Sequence, residues 1–259
     1  MTSPQDPHKH TYSHVNGTVE ELLDRLAVAE LCKGWPVYRD ASEWKNYRSL
    51  FSEEATVWTS TFSFSCKSSI MIILTPPLSP LPTAWSGPQA IDDFINISKE
   101  GKSKGVFIMH RECGTLVELG VPRPGASSSS SSRAIGKMKA TITHRFTDPQ
   151  DGSQYDADCD CRFIFFCEKN AASEWKAKYV KLFYEKDKIV PVDGYTAPRF
   201  TPQELAKYPD GYRYLGAAQA RLGYNIDVCL PTAKGELWER MYGEMEKWLN
   251  GEKIDLFWE

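Results

Sequence analysis

The sequence predicts an α+β fold: helices first, then a long, strongly curved antiparallel sheet, then a C-terminal helical extension. Three observations carry this. Apolar residues recur at helical spacing up to Gly101, then alternate in long β-branched and aromatic runs between residues 105 and 186. Short polar turns such as DPQDGS (148–153) and KNAAS (169–173) separate the later runs, which reads as an antiparallel meander. The stretch KGELWERMYGEMEKWLNG then returns to helical spacing. Helices gathered before a meandering sheet make an α+β arrangement.

Element by element, residues 1–17 read as a polar, disordered leader. Thr18 suits an N-cap, with Glu20 and Glu21 in the first turn where they favour the helix dipole. Leu22, Leu23, Leu26, Ala27, Ala29 and Leu31 form one apolar side, and the helix is expected to end near Lys33-Gly34, before Trp35-Pro36. Ser42 is the expected cap of a second helix, SEWKNYRSLF, whose Trp44, Tyr47, Leu50 and Phe51 read as a core stripe. A third helix is expected in PQAIDDFINISKEG, with Ile91, Phe94 and Ile95 inward and Gly101 as its stop. Strands follow the alternation at 55–60, 105–119, 133–146, 155–169 and 174–186. In the last helix Trp238, Met241, Met245 and Trp248 share a face, expected to dock on the domain or on a partner subunit.

Two segments interrupt the pattern. GVPRPGASSSSSSR (120–133) reads as a floppy hairpin loop. TFSFSCKSSIMIILTPPLSPLPTA (61–84) has neither periodicity. It reads either as a long active-site loop or as a retained intron, since GT and AG boundaries fit the codons for Ser60-Thr61 and Thr83-Ala84 and excision would leave VWTTWSGPQ. Sequencing the transcript separates the two.

Bulk properties exclude several classes. A net charge of −3 and a pI near 6.0 provide neither a nucleic-acid footprint nor a polybasic membrane patch. Seven cysteines follow no zinc spacing, and Cys159, Cys161 and Cys167 read as small buried hydrophobes of one strand. With no apolar signal region and no apolar run long enough to span a bilayer, the expectation is a soluble protein of the reducing cytoplasm.

The chemistry is concentrated in two histidines. Of five in the chain, three (His8, His10 and His14) lie in the leader. In GKMKATITHRF, His144 shares a face with Met138, Ala140 and Ile142, opposite Lys137, Lys139, Thr141, Thr143 and Arg145. In GVFIMHRE, His110 shares a face with Val106 and Ile108. Either ring alone would read as a satisfied core residue. Two inward imidazoles on strands able to neighbour each other suit proton transfer near neutral pH. Asp40 could orient one of them, or could simply be a turn or cap aspartate.

The order helix, Y-x-D, aromatic helix and long curved sheet resembles the SnoaL-like branch of the NTF2-like superfamily, and within it scytalone dehydratase. The matching residues are Asp40 in VYRDASEWKNYRSLF, His110 in HRECGT with Gly114-Thr115, and His144 eight residues after Gly136 in AIGKMKATITH. The resemblance covers roughly residues 18–195. It departs where Arg39, not tyrosine, directly precedes the aspartate; where a carbonyl-polarising tyrosine falls near Trp58; and where a pocket asparagine falls around Arg162 or Phe163. The resemblance implies an NTF2-like cone in residues 18–195, with 196–259 an extension, and a pocket needing neither metal nor organic cofactor. It implies Asp40, His110 and His144 as catalytic residues, with Tyr38, Tyr47, Trp58, Arg162 and Tyr179 lining the pocket. The expected reaction is dehydration of a polyketide-like small molecule in secondary metabolism. Isomerisation or cyclisation of a polyketide or terpenoid intermediate, or ligand binding without catalysis, are the alternatives. A homodimer paired through the outer sheet face is a further expectation.

Overall fold

A computed structural model describes residues 16–58, 89–120, 132–149 and 151–258. The elements are α1 (Val19–Asp40), α2 (Trp44–Ser49), β1 (Phe51–Trp58), β2 (Gln89–Ala90), α3 (Ile91–Ser103), β3 (Phe107–Leu119), β4 (Arg133–Thr147), β5 (Gln154–Lys169), β6 (Trp175–Pro191), α4 (Pro202–Leu205), α5 (Arg213–Arg221) and α6 (Glu236–Leu249). The sheet order is β2-β1-β6-β5-β4-β3. Strands β3 to β6 form the expected antiparallel meander, while β1 joins β6 in parallel, so the curled sheet is mixed. The leader, the segment 61–84 and most of the Ser-rich stretch lie outside the described residues. The ends of the Ser-rich connection are a regular hairpin: Leu119 pairs with Ala134, and Gly120 N–H donates to Arg133 O.

Alternation along the strands divides the apolar residues between two faces. The inner face carries Met138, Ala140, Ile142, Cys159, Cys161, Phe163, Phe165, Cys167, Val180 and Leu182, packed under α1 and α3. The outer face carries Ile135, Ile164, Phe166 and Phe183, which α6 covers with Met241, Tyr242, Met245 and Trp248. The face to which the resemblance assigned a second subunit is therefore occupied by a helix of the same chain. Elsewhere on that side, Thr141 and Thr143 donate to Asp160 (2.6 Å) and Asp158 (2.5 Å), and Arg145 is ion-paired with Asp156. Among the described residues no helix is long and apolar enough to cross a membrane.

Helix α1 begins as expected, Thr18 and Glu21 forming a reciprocal capping box. It does not end at Lys33-Gly34 but runs through Pro36 to Asp40. Gly34 marks a close approach rather than a stop, because a Cβ there would lie 2.8 Å from Leu50 Cδ2. Pro36 forfeits a helical hydrogen bond, a defect of about 3 kcal/mol in an exposed helix. Burying Trp35 is worth about 4–6 kcal/mol at ~25 cal/mol/Å² over an indole, which outweighs that defect. The apolar side also differs from expectation: Leu22, Leu23 and Leu26 are exposed, whereas Val28, Leu31, Cys32 and Trp35 are buried on the sheet. At this contact Gly136 of β4 has no room for a side chain, since a Cβ would collide with Cys32 Sγ.

Two further helix boundaries shift. Ser42 does not cap α2; it sits at φ +63° in the tight turn after α1, and Glu43 precedes the helix without a side-chain cap. Gly101 lies inside α3, and the left-handed glycine that ends that region is Gly105.

Candidate functional site

The last residue of α1 meets the first half of β3. Asp40 Oδ1 lies 2.8 Å from His110 Nδ1, and Asp40 Oδ2 accepts the backbone N–H of the same histidine at 2.6 Å. One carboxylate thus holds both the ring and the main chain of His110. Lys102 of α3 fixes the turn that presents Asp40, donating to Arg39 O (2.8 Å), Asp40 O (2.5 Å) and Ser42 Oγ (3.1 Å). These carbonyls end a helix, where a cation is favoured.

His110 pairs in register with Ile142, and His144 with Ile108, so the two rings are diagonal neighbours on the inner face. Such a diagonal spans roughly 7–8 Å. Phe163 lies edge-on to His110 with ring centroids 6.0 Å apart, and Phe146 stacks beside His144 at 6.1 Å. Both histidines are held toward the neutral form. For His110, burial lowers the pKa, the Asp40 hydrogen bond opposes it, and the charges of Arg39 and Lys102 reinforce burial. For His144, burial, then His110, then Arg39 lower the pKa from 6.5 to about 3. Burial alone would raise the carboxyl of Asp40, but hydrogen bonds and charge from His110, aided by Arg39, hold it below its ordinary range.

A carboxylate acceptor on Nδ1 leaves Nδ1 protonated and puts the free lone pair on Nε2. That lone pair can accept a proton. His144, neutral and without a carboxylate, can donate one N–H to an oxygen.

The structure separates the other expected lining residues. Tyr47 is fully buried in the inner core between Trp35 and Phe51. Tyr38 is half-buried beside Gly34 and Leu50. Trp58, Arg162 and Tyr179 do not join the histidines, which corrects the expectation for all three. Trp58 and Tyr179 pack together on the outer face, with ring centroids 6.2 Å apart, and Arg162 is ion-paired with Glu185 under Trp238. Phe163, next to Arg162, is the residue that faces His110. The cause in β6 is a bulge at Lys178: Ala177 pairs with Cys167 but Tyr179 with Phe166, so Trp175 and Ala177 point inward and Tyr179 and Lys181 outward.

Two site residues escaped the sequence reading. Arg39 shows only as the residue before Asp40, and Lys102 only as one lysine among several closing α3. Nothing local marks either; the turn after α1 brings them together.

The histidines carry a consequence for stability. His144 stays unprotonated in the folded state down to about pH 3 but binds a proton near 6.5 when unfolded, so the stability it contributes is present above 6.5 and is lost as pH falls toward 3. Asp187, its carboxyl raised by burial to about 6, works in the opposite direction over part of that window. The expected result is therefore a difference: between pH 7 and 5, wild type loses about 2 kcal/mol relative to His144→Asn. Parallel denaturant curves check this, and an unchanged difference would show that His144 is not held neutral.

Comparison with known proteins adds four findings. The sequence profile described as a SnoaL-like domain matches residues 20–181. Pea pathogenicity protein 2 of Fusarium vanettenii is 36% identical over 261 residues, covering 98% of this chain and 97% of that protein. An uncharacterised protein of Emericella nidulans is 35% identical over 253 residues, with 93% and 92% covered. A candidate scytalone dehydratase structure from Novosphingobium aromaticivorans is similar over 71% of this chain and 95% of that one, at 14% identity and a TM-score of 0.42.

Proposed function

From the premise that the chain belongs to the SnoaL-like family, we propose that it is a general acid–base enzyme acting on a small organic molecule. The observation that carries this reading is the two-point hold of Asp40 on His110, with His144 on the same inner face. His110 Nε2 removes a proton next to a carbonyl. The imidazolium that forms is stabilised by Asp40, and its proton then passes to a departing or migrating oxygen. His144, neutral throughout, donates a hydrogen bond to that oxygen and stabilises the negative charge that develops there until the proton from His110 arrives. Each positioned group of this kind contributes about 10²–10⁴-fold.

Loss of water, in the manner of a dehydratase on a polyketide-like compound, is the first reading. Isomerisation or cyclisation of a polyketide or terpenoid intermediate is the second. It is favoured by the placement of Trp58 and Tyr179 on the outer face, away from any carbonyl held at the histidines. Comparing metabolites with and without the gene tests both. A compound that accumulates one water heavier than the lost product establishes dehydration, and one of equal mass establishes isomerisation or cyclisation. No change in any small molecule, together with full activity of His110→Ala and His144→Ala proteins in the cell, would leave a binding module instead.

A further inference from the structure

One charge beside the Asp40–His110 pair has no role in the chemistry above. Arg39 is 9% exposed, and its Nε and Nη1 have no hydrogen-bond partner among the described residues. The nearby carboxylate is Asp40, whose Oδ1 is 3.7 Å from Nη1, too far for a hydrogen bond. The hydroxyl of Tyr47, in a fully buried ring, likewise has no hydrogen-bond partner among the described residues. The guanidinium lies over the Phe94 ring at 5.5 Å, which accounts for its flat face but not for the donors on its edge.

A buried guanidinium is retained against a steep desolvation cost only where something receives its donors. The local charges say what that is. Arg39 and Lys102 are positive and Asp40 is negative, while Lys102 donates to two carbonyls and the Ser42 hydroxyl. The site is left with one uncompensated positive charge next to the two imidazoles, and both feel Arg39. A single anionic group restores neutrality.

Building on the acid–base reading, we infer that Arg39 and Tyr47 form an oxyanion subsite, and that the substrate carries one ionised oxygen group, a carboxylate or an ionised enol. The edge of the guanidinium and the Tyr47 hydroxyl receive this group while His110 exchanges a proton on the adjoining carbon. A planar fork of donors suits either anion, and in a dry site such charge-assisted hydrogen bonds are the strong ones. The same contacts hold the extra negative charge that proton removal places on a conjugated oxygen.

Calorimetry on the full chain tests this with two pairs of probes: benzoate against benzamide, and the cyclohexane-1,3-dione anion against cyclohexanone. Wild type is expected to bind at least one anion roughly 10–100-fold tighter than its neutral counterpart. Preference for benzoate identifies a carboxylate substrate, and preference for the dione anion an ionised enol. Arg39→Gln should bring that ratio near unity, and Arg39→Lys, which keeps the charge but not the fork, should lower it. A readout on wild type alone is independent of whether those variants fold: by NMR, the imidazoles of His110 and His144 titrate at higher pH once the anion fills the site, and do not move with the neutral probes. Equal binding within both pairs, no anion binding, or an unchanged ratio in Arg39→Gln overturns the inference. His110→Asn separates it from the acid–base reading. Anion preference that persists while proton chemistry proves absent sinks only that reading, and proton chemistry without anion preference sinks only this one.

Discussion

On the proposed acid–base function, replacing Asp40 by asparagine is expected to lower turnover by about 10²–10⁴-fold while the fold survives. The geometry gives the reason. Asparagine can still accept the His110 backbone N–H through its amide oxygen, preserving the 2.6 Å contact. Its amide nitrogen then faces His110 Nδ1 as a donor, which forces the ring proton onto Nε2 and removes the lone pair the reaction uses. Losing the charge also leaves the imidazolium formed on proton removal without its counter-ion. The cost to folding is smaller, about 1–2 kcal/mol for two weakened hydrogen bonds. The check is the initial rate on the compound that accumulates when the gene is deleted, alongside a thermal melt. A variant as fast as wild type would show that Asp40 is a structural end to α1 and not part of the machinery.

Trp35→Ala carries the largest expected loss of stability, about 3–5 kcal/mol. Trp35 is 1% exposed, and its ring is surrounded by Tyr47, Phe51, Phe94, Phe163 and Phe165 at centroid distances of 5.3–6.0 Å. Those rings come from α2, β1, α3 and β5, so the cavity would open where four elements meet and could not collapse by moving one of them. The same burial holds the last turn of α1 past Pro36. Trp35→Ala is therefore expected to loosen Asp40 as well, and to reduce activity below that of an equally destabilised protein altered on the outer face, such as Phe183→Ala. Urea unfolding and rate measurements on both variants check this. Equal activity in the two would mean that the last turn of α1 stands without the indole.

What could be read from the sequence was what depends on local period. Alternation in RAIGKMKATITHRF placed His144 with Met138, Ala140 and Ile142, and the structure keeps them on the inner face, because one unbroken strand cannot change the parity of its side chains. Alternation alone does not place the residues of β6. One extra residue at Lys178 reverses the parity between Ala177 and Tyr179, and a bulge is decided by pairing with β5, not by the residues of β6 alone. The cap at Thr18 was legible because its partner, Glu21, is three residues away. The stop at Gly34 was misread because a glycine that ends a helix and one that admits a neighbour look alike until Leu50 is seen against it.

The candidate site divides along the same line. Asp40, His110 and His144 announce themselves as a carboxylate and two isolated imidazoles in apolar or turn settings. Their meeting does not: Asp40 and His110 are 70 residues apart, and only the crossing of α1 over β3 brings them within 2.8 Å. Arg39 is the sharpest case. In the sequence it is an ordinary charged neighbour of an aspartate, and only the closure of α3 and the sheet around it removes the water that would have solvated its edge. Side-chain chemistry and period are properties of short stretches, and so the sequence alone determined them. Desolvation and long-range approach belong to no stretch, and so the tertiary structure alone decided them.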